Sequence, residues 1–258
     1  MNFEEYLDFL TESNMSIHTI NDYRSTYKRF FAHGSMNEGH IRSFLMIAKS
    51  ATTKRKYIVQ LKSLCNFFNT KIDWKKIPSP KVRQEAPLTL TEQHERRIYD
   101  YMEYRDHKSA KMFSFLLETG LRISELEGLG PDHYKKVETA AGKFYHALKI
   151  DTSMDTHSIN GRWVPLSVTA RHIIEEFGLP FNIDRRRFND LLISARTSLK
   201  LPDYKIHSLR KTFMSRCLKR KMDVVTIANI MGHKQVNTML VYADRELETV
   251  CDAFNEAA

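Results

Sequence analysis

Residues 144–168 read FYHALKIDTSMDTHSINGRWVPLSV, and the fold class turns on this stretch. The segments FYHALKI (144–150) and RWVPLSV (162–168) read as two strands around a polar connection. Almost everything around them reads as helix. Helical pattern resumes at 169–177, 185–199, 207–220, 223–231 and 238–254. On the N-terminal side, Thr91 precedes a helix ending near His107, and a second helix spans Ala110 to Thr119, where Gly120 stops it. Residues 88–258 are therefore expected to form a mixed α+β domain, mainly α with a small β-hairpin or sheet.

The first part of the chain reads as helix throughout. Phe3, Tyr6, Leu7 and Leu10 recur at three- and four-residue steps. Ser16 is placed to cap a second helix marked by Ile20, Tyr23, Tyr27, Phe30 and Phe31. A third segment covers Asn37 to Lys49, and a fourth runs from Thr52 to Asn69. Ile58, Leu61, Leu64, Cys65 and Phe68 form one stripe of the fourth, and Lys54, Arg55, Lys56 and Lys62 lie on its other side. Residues 1–72 are thus expected as a helical bundle with basic outer faces. Pro78, Pro80 and Pro87 then sit among Lys71, Lys75, Lys76, Lys81 and Arg83. Proline fixes φ and removes a backbone donor, so residues 71–87 should be extended, with 73–87 a basic interdomain linker.

A chain of 258 residues has room for two domains. With 42% hydrophobic and 28% charged residues it should form packed cores. The net charge of +9 favours a polyanionic partner, nucleic acid first among them. Cys65, Cys217 and Cys251 are odd in number and form no CxxC pair, which argues against a disulfide framework or zinc knuckle and fits a reducing cytoplasm. The opening MNFEEYLDFL does not resemble a signal peptide, and no apolar run approaches the roughly 18 residues of a membrane span. A cytoplasmic or nucleoid-associated protein without a membrane partner is expected.

Three segments of the second domain share one set of residues: TGLRISEL (119–126), HSLR (207–210), and MGH (231–233) with Tyr242 beyond it. Together they offer Arg122, His207, Arg210, His233 and Tyr242. This set suits phosphoryl transfer without a metal. Two guanidiniums can clamp the non-bridging oxygens of a phosphodiester and stay charged at any physiological pH. Histidines can donate to the phosphate or move the nucleophile's proton. A phenol is a poor nucleophile until a base or a fixed positive field assists it. His207 and Arg210 are three residues apart and share a helix face. Glu125, three residues after Arg122, is placed to hold Arg122 or a histidine. Taken singly, a helical tyrosine is ordinarily a packing residue and an Arg/Glu pair an ordinary surface ion pair. The combination and its order carry the reading.

These boxes, with Tyr242 nine residues after His233, resemble the active-site motifs of the tyrosine site-specific recombinases, the family of phage integrases and the Xer- and Cre-type enzymes. The resemblance spans essentially the whole chain. Residues 1–72 are similar to the family's core-binding domain and 88–258 to its catalytic domain. It implies that Arg122 and Arg210 bind the scissile phosphate and that His207 accepts a proton or donates to the phosphate. It implies further that His233 hydrogen-bonds the phosphate and that Tyr242 attacks it. The product is a 3′-phosphotyrosyl link and a free 5′-hydroxyl, which later attacks the partner strand's link. Bond energy is kept in the intermediate, so no metal or other cofactor is implied. Double-stranded DNA is the implied partner, gripped by the two domains as a clamp. A tetramer on DNA is also implied, with the tail bearing Leu247, Val250, Cys251 and Phe254 docking on a neighbour or packing on its own domain.

The family usually carries a lysine on the hairpin, and residues 151–161 contain no Lys or Arg. Counting from one strand puts Met154 at that place, and from the other His157; Lys149 lies nearby on the strand. Lys149 and His157 are both candidates for the acid. Lys211 stands where the family often has His. Lys54, Arg55, Lys56 and Lys62, with Arg185, Arg186 and Arg187 at a helix start, are candidate DNA contacts. Integration or excision of a mobile element is the expected task. Two rivals share the resemblance: a homologue that binds DNA without cleaving it, and a relaxing enzyme similar to type IB topoisomerases. A metal-dependent nuclease finds no carboxylate cluster or His/Cys spacing here.

Overall fold

The computed structural model describes residues 3–32, 34–81, 88–138, 144–151 and 161–232. The chain divides into two compact units, Met1–Glu85 and Ala86–Ala258.

Unit 1 contains α1 (Phe3–Glu12), α2 (Ile17–Phe31), α3 (Glu38–Ile47) and α4 (Ala51–Phe67). Side-chain caps start three of them. Ser16 Oγ accepts from the Thr19 N–H at 3.2 Å, Asn37 Oδ1 from His40 at 2.9 Å, and Ser50 Oγ from Thr53 at 3.0 Å. Tyr6, Leu7, Leu10, Ile20, Tyr27, Phe30, Ile41, Phe44, Leu61 and Leu64 fill the core. The rings meet mostly edge to face, as Tyr6 does with Phe67 at 5.0 Å between centroids. The polar groups caught inside pair with each other. Thr26 Oγ1 donates to Gln60 Oε1 at 2.8 Å, and Tyr27 Oη to the Gln60 carbonyl at 2.9 Å.

The segment after α4 is not extended throughout, which corrects the reading of residues 71–87. Trp74–Lys76 form a 3₁₀ turn started by Asp73, whose carboxylate accepts from the Lys75 N–H at 3.1 Å. Ile77 is 4% exposed and belongs to the bundle's core, with Ile72 and Trp74 packed against it. Three apolar side chains spaced among the lysines pin this stretch to the bundle.

Unit 2 contains, among its described residues, α5 (Glu92–Glu103), α6 (His107–Thr119), α7 (Ile123–Gly128), β1 (Tyr134–Glu138), β2 (Phe144–Ile150), β3 (Arg162–Pro165), α8 (Val168–Phe177), α9 (Arg185–Ser198), α10 (Ile206–Lys219) and α11 (Val224–Met231). Thr91 caps α5, which stops at Glu103, short of His107. Asp106 caps α6 instead, accepting from the Ser109 N–H at 3.1 Å. α6 is the central helix, with Phe113, Phe115, Leu116 and Leu117 buried and α5, α8 and α10 packed on it. It ends at Gly120 in the left-handed conformation, φ 64°. A Cβ there would lie 2.4 Å from the Phe213 ring, so glycine serves both the turn and the approach of α10.

The sheet is antiparallel in the order β1-β2-β3. β1, YKKVE, is an edge strand that the sequence reading did not anticipate. Leu148 pairs with Val164 and Ile150 with Arg162 on the inward face, and Lys149 pairs with Trp163 on the outward one. Among the described residues, no helix is long and apolar enough to cross a membrane.

Candidate active site

α7 is short, and its first turn carries an ion pair. Arg122 stands at its N-cap and Glu125 three residues on. The Arg122 backbone N–H donates to Glu125 Oε2 at 2.7 Å, and its Nη1 donates to Oε1 at 2.6 Å. One carboxylate therefore fixes both ends of Arg122. Glu125 is fully buried, and a buried carboxylate must be charge-paired. Arg162, the first residue of β3, supplies a second partner through Nη2 at 2.8 Å. Arg210 Nη1 stands 3.9 Å from the same oxygen.

Arg210 lies on the first turns of α10 and is 3% exposed. Its Nη1 donates to the Gly120 carbonyl at 2.6 Å, and its Nη2 to the Met231 carbonyl. The neighbouring carbonyls at the end of α11 are taken likewise, Ile230 by Arg162 Nε at 2.8 Å and Gly232 by Arg122 Nη2 at 3.5 Å. Three consecutive carbonyls at a helix C-terminus thus each accept from a different guanidinium, where the helix dipole favours cations.

Arg122, Arg210 and His207 open on one cavity of about 260 Å³, also lined by Leu121, Ile123, Ser124, Arg185 and Ile206. A second cavity of about 550 Å³, lined by Arg185, Arg186, Asn189, Lys205, Ile206 and His207, shares three of these residues. Positive groups therefore line a path from the start of α9 to the arginine pair. Burial of the His207 imidazole, then Arg210, Lys211 and Arg122 beside it, hold its pKa below the usual histidine value. It is neutral at pH 7, with one nitrogen free to accept a proton and the other to donate. A larger cavity, about 840 Å³, lies among α5, α6, α8 and α10, and none of these site residues lines it.

The other expected residues fall as follows. Lys149 is on the outward face of β2, its Nζ 4.8 Å from the Trp163 ring centroid, on the face opposite Arg162. Arg185 and Arg186 line the cavities above, whereas Arg187 pairs with Asp106 at 2.9 Å. Lys54, Arg55, Lys56 and Lys62 belong to unit 1. Lys56 there pairs with Asp22 at 2.6 Å, and Lys62 lies over the Trp74 ring. His157, Met154, His233, Tyr242 and the tail bearing Leu247 and Phe254 lie outside the described residues. Among the described residues, no group of three or more His, Cys, Asp or Glu is placed to hold a metal ion. Sequence reasoning missed Arg162. Its signal was parity, since in RWVP the arginine shares its strand face with Val164.

The chain is 25% identical, over an alignment 276 positions long, to the tyrosine recombinase XerA of Pyrococcus horikoshii, covering 98% of this chain and 92% of that one. The chain is a homologue of the tyrosine recombinases. It is also 25% identical over 199 residues to the shufflon-specific DNA recombinase of Escherichia coli, matching 71% of this chain but about half, 49%, of that protein. Among solved structures, the Tn1549 transposon integrase in complex with circular intermediate DNA superposes with a TM-score of 0.71 over 98% of both chains at 15% identity. The fold is thus that of the tyrosine recombinases. No protein-family model matches the chain.

Proposed function

We propose that this chain is a site-specific DNA recombinase that cleaves and rejoins duplex DNA through a phosphotyrosyl intermediate on Tyr242. The observation that carries the reading is the small cavity on which Arg122, His207 and Arg210 converge from two separate segments of the chain. Two guanidiniums and a neutral imidazole around a space of that size suit one phosphodiester group.

In this mechanism Arg122 and Arg210 exchange carbonyl partners for the non-bridging oxygens and bear the charge that grows there. The Tyr242 oxygen forms a bond to phosphorus as the bond to the 5′-oxygen breaks, and His207 takes the phenol's proton. His233, next after Gly232, donates to the phosphate. The departing 5′-oxygen needs a proton from Lys149 or His157. The outward position of Lys149 over Trp163 counts against it. Rejoining reverses these steps with a 5′-hydroxyl from the partner duplex. Arg185 and Arg186 bind neighbouring phosphates at the start of α9, and unit 1 contributes Lys54 and Arg55. The protein acts in the cytoplasm on DNA, as a tetramer joined through the tail after Tyr242. The transposon integrase among its structural neighbours supports a mobile-element task.

The test begins with duplexes selected for binding, nicked so that the cleaved strand is lost. Wild type should leave a covalent protein–DNA adduct on a denaturing gel, and Tyr242→Phe should leave none. A wild type without adduct on its selected site would remove the enzyme reading and leave a DNA-binding homologue. Plasmid relaxation without recombinant products would point to a relaxing enzyme. A 5′-bridging thiol substrate needs no acid, so it should rescue whichever of Lys149→Ala and His157→Ala has lost one.

A further inference from the structure

We propose that Arg162 is a positioning residue of this cleavage site, one that sets the orientation of Arg122 through Glu125. The proposal rests on the recombinase reading for its catalytic consequence, but its geometric content stands on the molecule itself. Arg162 is 6% exposed and does not line the cavity of Arg122 and Arg210. A buried guanidinium is an expensive way to fill the inward face of a strand, and an apolar side chain beside Val164 would pack there at lower cost. Its contacts say what it does instead. Nη2 donates to Glu125 Oε2 at 2.8 Å and Nε to the Ile230 carbonyl at 2.8 Å.

These two bonds make Arg162 the joint between three pieces of the site. Glu125 Oε2 lies between the Arg122 backbone N–H, 2.7 Å away, and Arg162, which leaves Oε1 turned toward Arg122 Nη1 at 2.6 Å. Arg210 waits 3.9 Å from Oε2. Without Arg162, that oxygen is drawn toward Arg210, the carboxylate turns, and Arg122 loses the bond that aims it. The Nε bond holds the end of α11, beside the carbonyls that Arg210 and Arg122 hold, at the point where the chain departs toward His233 and Tyr242. Arg162 therefore keeps the strand that follows the 151–161 connection, the phosphate-binding arginine and the approach to the nucleophile in one register. Lysine cannot replace it, because only a guanidinium presents Nε and Nη2 in one rigid plane.

The test compares wild type with Arg162→Lys, Arg162→Met, Glu125→Gln and the double variant Glu125→Gln/Arg162→Met, all as the full chain. Nitrogen-15 spectra of the arginine side chains, without DNA, report whether the Arg122 guanidinium stays ordered, its signal being assigned with Arg122→Lys. The Arg122 signal should broaden or shift to that of a solvated guanidinium in both Arg162 variants. On the nicked duplex, Arg162→Met should cleave about 100-fold slower at saturating DNA with little change in Kd, the scale expected for a small misplacement of a reacting group. Arg162→Lys should fall between. The double variant should cleave no more slowly than Glu125→Gln, because both changes act through one path. An Arg122 signal unchanged in Arg162→Lys overturns the proposal, as do losses that multiply in the double variant. So does an Arg162→Met rate that returns to wild type on cooling below its lowered Tm, which marks a purely structural role. If wild type forms no adduct, the recombinase reading falls while the spectra still decide the positioning.

Discussion

In unit 1 the buried polar side chains are neutral and matched: Thr26 donates to Gln60, and Tyr27 donates to that residue's carbonyl. In unit 2 charged side chains are buried beside the neutral Ser109, Thr119, Ser208 and Thr212: Arg162 and Arg210, with the partly exposed Arg122, gather around the carboxylate of Glu125. A neutral pair satisfies itself and asks for nothing further. The guanidiniums of unit 2 also donate to helix-end carbonyls, which carry only partial charge. The difference is between neutral and charged burial, and it can be probed from both sides.

The largest expected effect is on unit 2. Glu125→Ala removes the buried carboxylate that Arg122 and Arg162 share and should destabilise that unit by about 3–5 kcal/mol. Hydrogen exchange resolved by peptide should show loss of protection in α7, β3 and α11, with α1–α4 unaffected. Equal loss in both units would break the comparison. Thr26→Val makes the matching change in unit 1 and should cost only about 1 kcal/mol, read as a shift in denaturant midpoint. Arg185→Ala should lower the slope of log K against log salt by about 1, and Arg187→Ala by less, because Arg187 is held by Asp106.

The smallest effect is in pH. His207 has a depressed pKa, so its neutral form persists below 6.5 and the acid limb of cleavage should lie there. The sign follows for stability as well. Below pH 6.5 the unfolded chain takes up this proton first, so unit 2 loses stability on acidification until the folded group also titrates. Lys211→Met removes one of the charges that depress it and should move the acid limb to higher pH. Activity that instead falls as pH rises through this titration would make the imidazolium the working form.

Much of the fold was legible because its helices announce their ends. Ser16, Thr91 and Gly120 terminate helices as their chemistry requires, and the strand at 144–150 stands where the pattern put it, while the one expected over 162–168 ends at Pro165, with Ser167 capping α8. β1 was not legible, because YKKVE lies at the edge of the sheet and buries no residue fully. The turn at Trp74–Lys76 was masked by the prolines and lysines around its apolar anchors. In the site, motif spacing picked out Arg122, His207 and Arg210, which do line one cavity. It could not pick out Arg162, whose partners Glu125 and Ile230 are 37 and 68 residues away in the chain. The outward turn of Lys149 was equally hidden, since only the pairing register with Trp163 fixes it.

That register has a practical side. The chain has two tryptophans, and they fall one to each unit, Trp74 in the first and Trp163 in the second. Each lies under a lysine ammonium, Lys62 at 5.3 Å and Lys149 at 4.8 Å from the ring centroid. Their emission is therefore a pair of local reporters, native to the protein. Trp74→Phe leaves a chain whose tryptophan fluorescence speaks only for the unit that carries Arg122 and Arg210, and Trp163→Phe one that speaks only for the bundle. With Trp163 46% exposed on the sheet's outer face, its signal also offers a dye-free way to watch solvent, quencher or a bound strand reach that face.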